Sequence, residues 1–253
     1  GRVEAVGARV DRRWIGKRVA ALCTHAFAER DVADVRSLVE LPRSLDGKHF
    51  PAEAFACAMN VFRRSGVSRG MTVAIVGVGF LGAILTRLSK RAGAAVIGIS
   101  RRPFALALAR RMGADETIPL DDHHAIIERV RALTEGRGCE RVIECVGAQW
   151  PLDLSAELTC ERGTLVIAGY HQDGPRQVNM QLWNWRGLDV VNAHERDPAV
   201  YVRGMREAIA AIEDGVIDPE MLVTHRFSLE QLGHALDAVN RRPEGFVKGV
   251  VIP

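Results

Sequence analysis

From residue 71 onward, short and almost wholly apolar β-branched runs alternate with longer stretches whose apolar residues recur at helical spacing. The runs at 73–76, 95–99, 116–118, 141–145 and 164–168 predict buried strands, because a strand covered on both faces loses the polar alternation of a half-exposed one. Between them, 81–92, 103–112, 124–133 and 152–158 carry the period of helices. Alternation of this kind predicts a doubly wound parallel sheet. A strand at 188–192 and a helix at 198–214 extend it, and the tail returns to a strand from Val223, a helix at 229–241 and a strand at 247–252.

Ahead of Pro51 the pattern is different. Stretches at 3–6, 18–22 and 37–41 are bounded by Gly7, Gly16, Pro42 and Gly47, which predicts a β-rich, barrel-like segment. Residues 52–64 then place Phe55, Ala58, Met59 and Phe62 at helical spacing, and Ser65-Gly66 closes that helix. The nearly apolar stretch 71–85 is shorter than the roughly 20 residues a membrane span needs, and glycines interrupt it. No membrane partner is expected.

The 253 residues, 47% hydrophobic and 26% charged, describe an ordinary globular chain with room for one or two domains, which excludes a disordered or disulfide-stapled class. A balance of +3 from 34 basic and 31 acidic residues is interspersed, not gathered into a basic arm, so nucleic acid is not an expected partner. Lys17, Lys48, Lys90 and Lys248 are the lysines and the other basic residues are arginine, which reflects a coding bias or suits phosphate recognition. Cys23, Cys57, Cys139, Cys145 and Cys160 form no CxxC and cannot all pair, so a reducing, cytoplasmic setting is expected; no signal-peptide pattern is present. The chain starts at Gly1 inside a strand-like alternation without an initiator Met and reads as N-terminally incomplete.

Candidate chemistry begins after the first apolar run. Gly77-Val78-Gly79-Phe80-Leu81-Gly82 is a G-x-G-x-x-G between a strand and a helix. Gly77 permits the tight turn, Gly79 lets the backbone approach a pyrophosphate, Gly82 allows close helix packing, and the helix's first-turn amides, from Phe80 and Leu81 on, face the anion. About 20 residues on, an NAD-specific site places Asp or Glu on the ribose hydroxyls. Here the segment reads Gly98-Ile99-Ser100-Arg101-Arg102. Without a carboxylate, Ser100, Arg101 and Arg102 favour a 2′-phosphate, hence NADP(H) over NAD(H). The alternative is a solvated helix start, with Ser100 tolerating either cofactor.

The order of parts resembles the medium-chain dehydrogenase/reductase superfamily, the zinc-type alcohol dehydrogenases. The matching stretches are Gly1-Arg2-Val3-Glu4-Ala5-Val6-Gly7, Gly16-Lys17-Arg18-Val19, Phe27-Ala28-Glu29, the glycine fingerprint, Met112-Gly113-Ala114-Asp115, Glu144-Cys145-Val146-Gly147, residues 163–169 and 245–251. The resemblance implies a partial GroES-like β-barrel catalytic domain, residues 1–53 and 219–253, around a Rossmann domain at 54–218. It also implies hydride transfer between a nicotinamide and an alcohol or carbonyl. By position, Val146, Gly147, Ala168, Gly169 and Tyr170 correspond to the strand ends that hold the nicotinamide and its ribose, and Lys248 to a basic residue reaching the pyrophosphate. The strand at 188–192 corresponds to one paired across family dimers, so a homodimer or homotetramer is expected.

Two departures shape the metal expectation. Zinc members carry a Cys and a Gly-His-Glu ligand upstream of the segment that begins here as Gly1, so catalytic Zn²⁺ is expected only where upstream sequence supplies them. Glu53 then stands at the third position, with Cys57 the alternative in another register. The four-cysteine lobe is replaced by Thr24-His25-Ala26 leading straight to Phe27, so structural zinc is not expected.

His171 is a candidate to pass a proton at the nicotinamide or else a pocket wall. His25 is a weaker relay or ligand candidate. His123 and His124 read as a solvated helix start, Trp183 and Trp185 as covering residues of a strand-like or turn segment, and Cys139, Cys145 and Cys160 as small buried hydrophobes. The leading reading is an NAD(P)-dependent alcohol dehydrogenase or carbonyl reductase. The alternatives are a catalytically silent cofactor-binding homologue and a zinc-independent enzyme resembling quinone reductases.

Overall fold

The computed structural model describes residues 1–25 and 27–253, so Ala26 lies outside the described residues. Two compact units are present, Gly1–Met59 with Glu195–Pro253, and Asn60–His194. In the first unit, β1 (Val19–Ala21) and β2 (Leu38–Glu40) pair antiparallel with Ala20 opposite Val39. Val19, Ala20 and Val39 are buried. The strand expected at 3–6 is reduced to an isolated bridge between Arg2 and Arg18, with the Val3 amide donating to the Lys17 carbonyl and the Gly16 amide to the Val3 carbonyl. Helix α1 (Ala52–Ser65) forms where the spacing places it, with Phe55, Ala56, Ala58 and Val61 inside.

The second unit holds the doubly wound sheet. Its elements alternate as β3 (Thr72–Val76), α2 (Phe80–Arg91), β4 (Ala95–Ser100), α3 (Pro103–Met112), β5 (Glu116–Pro119), α4 (His123–Leu133), β6 (Cys139–Glu144), α5 (Gln149–Leu158), β7 (Thr159–Ile167), α6 (Met180–Arg186) and β8 (Asp189–Asn192). Every pairing is parallel and the spatial order is β5-β4-β3-β6-β7-β8. This is the Rossmann order, with the first strand central and the chain winding outward both ways. Val73, Ala74, Ile75 and Val76 are completely buried, as a strand with helices on both faces requires. Ile97, Ile99, Ile126, Val142, Leu154 and Leu158 belong to one apolar cluster.

Caps set the helix limits. The Asp122 carboxylate accepts the Ala125 amide at 2.8 Å to start α4, and Gly113 ends α3 in the left-handed region at φ +101°. Trp183 and Trp185, expected in a strand-like or turn segment, lie on α6. The Asn179 side chain caps it by accepting the Leu182 amide at 3.0 Å, and Gly187 closes it with φ +59°. Trp183 packs beside Leu152 and Leu165, whereas Trp185 is 85% exposed.

Asp115 ties α2 to β4, pairing with Lys90 and accepting the Val96 amide at 2.8 Å. Burial works to raise its carboxyl pKa, but the Lys90 ammonium and the Val96 amide outweigh it and hold the group below the ordinary value of 3.8. A depressed folded-state pKa contributes stability that is complete above 3.8 and lost as pH falls through the lower folded value. Asp115→Asn is therefore expected to flatten the acid limb of the stability–pH curve below about pH 4. An acid limb identical to wild type in urea titrations would sink this account.

The remaining elements belong to the first unit: α7 (Pro198–Glu213), β9 (Val223–Ser228), α8 (Leu232–Arg241) and β10 (Lys248–Ile252). A Cβ at Gly204 would lie 2.7 Å from the Ala56 carbonyl oxygen, so glycine permits the close approach of α7 to α1. β9 and β10 are parallel, with Val250 opposite Arg226. The helix expected over 229–241 opens as a 3₁₀ turn at Leu229–Gln231, where Ser228 and Gln231 form a capping box. Among the described residues no helix is long and apolar enough to cross a membrane.

Candidate dinucleotide site

β3 has β4 on one side and β6 on the other, and the chain winds in opposite directions from it. In open α/β sheets, ligands settle in the crevice outside the carboxyl ends of the strands at that reversal. Gly77 ends β3 with φ +97° and its amide donates to the Ile99 carbonyl at 2.8 Å. A Cβ on Gly77 would lie 2.6 Å from the Val146 Cγ2. One on Gly82, in the first turn of α2, would lie 2.1 Å from the Gly77 carbonyl oxygen, so the helix is seated against the strand end.

Gly79 is different. It precedes α2 with an ordinary φ of −95°, no side chain caps the helix, and a Cβ there would meet nothing within 4 Å. Neither backbone conformation nor packing requires glycine at this position. What remains is a cradle in front of the first-turn amides that a side chain would fill. That is the space a pyrophosphate needs, and the residues present fit the group.

On the neighbouring strand, Ser100 is buried at the end of β4, Arg101 is exposed, and Arg102 is half-buried at the N-cap of α3 with Pro103 following at the first helical position. Ile99 pairs with Val76, which brings this segment alongside the glycine turn.

The ends of β6 and β7 are knitted by Glu144, a fully buried carboxylate. Its Oε1 accepts the amides of Val146 at 2.6 Å and Gly147 at 2.8 Å, and its Oε2 lies 3.1 Å from His171 Nε2. Its own carbonyl accepts the amides of Ala168 at 2.9 Å and Gly169 at 2.8 Å. A Cβ on Gly169 would lie 2.3 Å from the Gly147 nitrogen, and one on Gly147 would lie 2.8 Å from the Tyr170 carbonyl oxygen. Arg176 donates through Nε to His171 Nδ1 and through Nη2 to the Gly147 carbonyl, both at 2.9 Å, and pairs with Asp173. The Arg176 hydrogen bond holds the Asp173 carboxyl below the usual range. Val146 and Tyr170 are exposed, and the Tyr170 ring centroid lies 6.0 Å from that of His194.

The sheet edge thus collects Gly77, Gly79, Phe80, Leu81 and Gly82 with Ser100, Arg101 and Arg102 on one side, and Val146, Gly147, Ala168, Gly169, Tyr170 and His171 on the other. His171, expected either as a proton carrier facing a ligand or as a pocket wall, has both ring nitrogens engaged by protein groups, Nε2 beside the buried Glu144 carboxylate and Nδ1 by Arg176. Glu144 and Arg176 are the functional candidates that the sequence reading passed over. The signal for Glu144 was a carboxylate closing an otherwise apolar strand.

Glu53 and Lys248 belong to the other unit. Glu53 is exposed in the first turn of α1, and Cys57 lies one turn on. Burial, with Glu53 adding to it, pushes the Cys57 thiol up to about 11. The Tyr201 hydroxyl donates to the Glu195 carbonyl at 3.1 Å, and burial pushes it up to about 12. Catalytic zinc takes three protein ligands plus a water or substrate. Among the described residues no group of three or more His, Cys, Asp or Glu side chains converges to hold a metal ion, so Glu53 is not part of a ligand set assembled by this chain. His25 sits instead on Asp31, 3.1 Å from its carboxylate in an exposed loop.

The profile of the zinc-binding dehydrogenase family matches residues 81–211, from the glycine turn to within α7. The chain belongs to this family. Among curated relatives, the sorbitol dehydrogenase of Halalkalibacterium halodurans is 25% identical over 86% of this chain and 66% of its own length. The quinone oxidoreductase of Pseudomonas aeruginosa is 28% identical over 93% of this chain and 74% of its own. A mycobacterial protein solved in complex with NADPH superposes with a TM-score of 0.84 at 25% identity, covering 100% of this chain and 80% of that one. The chain spans between about half and two thirds of the length of the sorbitol dehydrogenases it matches.

Proposed function

We propose that this zinc-binding dehydrogenase family member carries the NADP(H) site of an oxidoreductase that moves a hydride between the nicotinamide and an alcohol or carbonyl. The observation that carries the reading is the empty space in front of Gly79, a glycine that the fold itself does not need. The cofactor supplies the hydride when bound. The chain's own residues orient it: the amides of α2 and the Gly77–Gly82 turn take the pyrophosphate, Ser100, Arg101 and Arg102 take the 2′-phosphate, and Val146, Gly147, Ala168, Gly169 and Tyr170 line the nicotinamide end. We further propose a homodimer or homotetramer acting in a reducing compartment, supported by β8, which ends the sheet with β7 as its partner.

Glu53 and Cys57 do not make a zinc site on this chain, so no step is routed through a metal. A second reading, a zinc-independent enzyme resembling the quinone oxidoreductases, is supported by the Pseudomonas aeruginosa relative, which matches 93% of this chain. Oxidation of NADPH with a quinone against a carbonyl acceptor separates the two.

The first test is titration with NADPH and NADH. NADPH is expected to bind at least about tenfold tighter, a difference of about 1.4 kcal/mol. Gly79→Ala is expected to weaken NADPH by a similar factor while leaving the unfolding midpoint within error of wild type. Equal affinities for the two nucleotides remove the 2′-phosphate assignment. Unchanged binding to Gly79→Ala removes the cradle.

A further inference from the structure

The dinucleotide lies across the crevice with its adenosine end at β4, where a Rossmann site recognises the ribose. The other half then meets the ends of β6 and β7. There both backbone groups of Gly147 are held, its amide by Glu144 Oε1 and its carbonyl, in the next peptide unit, by Arg176 Nη2. His171 joins the two grips, with Nε2 on Glu144 Oε2 and Nδ1 on Arg176 Nε.

The direction of these bonds follows from what each group can do. A guanidinium only donates, so His171 Nδ1 must accept from Arg176 and carries no proton. The ring proton therefore sits on Nε2 and points to the carboxylate. With side chains only 15% and 14% exposed for His171 and Arg176, and none of Glu144 exposed, the chain of bonds is largely shielded from water, where each one is stronger. Asp173, 70% exposed, holds Arg176 from the solvent side.

We propose that Arg176 and His171 are positioning residues for the nicotinamide half of the cofactor. Arg176 locks His171 as the neutral Nε2–H tautomer, and together with Glu144 they fix the backbone of Gly147, through its carbonyl and its amide, on which that half rests. Neither touches the reacting atoms. The inference rests on the NADP(H) reading above.

The test compares two ligands and one spectroscopic signature. Calorimetric titration of wild type and Arg176→Ala with NADPH and with 2′,5′-ADP, which has the phosphates of the adenosine half and no nicotinamide, separates local positioning from general loosening. Arg176→Ala is expected to lose about tenfold in NADPH affinity, about 1.4 kcal/mol, and less than about twofold for 2′,5′-ADP. The ¹⁵N shifts of His171 are expected to report the Nε2–H tautomer in wild type and a mixture in Arg176→Ala.

Equal weakening for both ligands, or no weakening for either, overturns the positioning role, as does an Nδ1–H or doubly protonated ring in wild type. Should Arg176→Ala not fold, Arg176→Lys keeps the charge but not the fork that spans two acceptors, and it carries the same comparison. A wild-type chain that binds neither ligand overturns the NADP(H) reading itself and the positioning with it, whereas selective failure of the NADPH arm in the variant leaves that reading intact.

Discussion

Glu144→Ala is expected to lower the unfolding free energy by about 3–5 kcal/mol, the cost of leaving three donors without an acceptor at about 1–3 kcal/mol each. The carboxylate is fully buried and satisfies the amides of Val146 and Gly147 and the ring of His171. Alanine strands all three donors and leaves Arg176 without the anion at the far end of its relay. Glu144→Gln does not rescue it. If the amide oxygen serves the two backbone donors, its NH₂ meets the His171 Nε2–H, and the ring cannot turn its other nitrogen because Arg176 donates to that one. Urea denaturation followed by circular dichroism reads the effect. A loss below about 1 kcal/mol for Glu144→Ala would mean that the loops at the ends of β6 and β7 relax without cost, which the burial argues against.

The second large effect is at Gly82. Its substitution by alanine places a Cβ 2.1 Å from the Gly77 carbonyl oxygen, with the Gly77 carbonyl carbon at 3.0 Å and the Ile75 Cγ2 at 3.3 Å. The nearest obstacle is backbone at the end of a central strand, so the helix has to move. Overpacking of this kind costs about 1–3 kcal/mol, occasionally more, and alanine's better helix propensity returns only about 1 kcal/mol. With backbone only 2.1 Å from the new Cβ the steric cost falls at the top of that range, so a net destabilisation of about 2 kcal/mol is expected with loss of nucleotide binding. The contrast with Gly79→Ala is informative, since two glycines three residues apart are required for opposite reasons. One is needed because protein fills the space and the other because protein leaves it open. A Gly82→Ala chain as stable as wild type would mean that α2 is not seated on β3 as described.

Much of this was legible in the sequence. Buried parallel strands announce themselves as unbroken β-branched runs, and the runs ending at Val76, Ile99 and Cys145 fall within a residue of the observed strand ends at Val76, Ser100 and Glu144. The glycine turn was legible too, because a tight turn, a close helix and an open cradle each demand the same residue at fixed spacing. The tryptophans of α6 were read as strand-like because two bulky residues two positions apart mimic strand alternation. The capping Asn179 and the left-handed Gly187 override that pattern locally. The Glu144–His171–Arg176 relay was not legible. His171 and Arg176 come from an irregular segment after β7, where no period constrains which way a side chain points. A histidine near a sheet edge reads as a free acid or base until its neighbours on both ring nitrogens are known.

The relay also bears on how such a sequence can drift. Glu144, His171 and Arg176 are coupled through the ring, since the carboxylate takes its proton and the guanidinium dictates the tautomer, while Glu144 and Arg176 each also hold backbone groups of their own. Residues coupled in this way do not contribute additively. Once the ring is gone the bonds that ran through it no longer count against further change, yet Glu144 still serves two backbone amides, so a lineage can shed His171 and Arg176 more readily than the carboxylate.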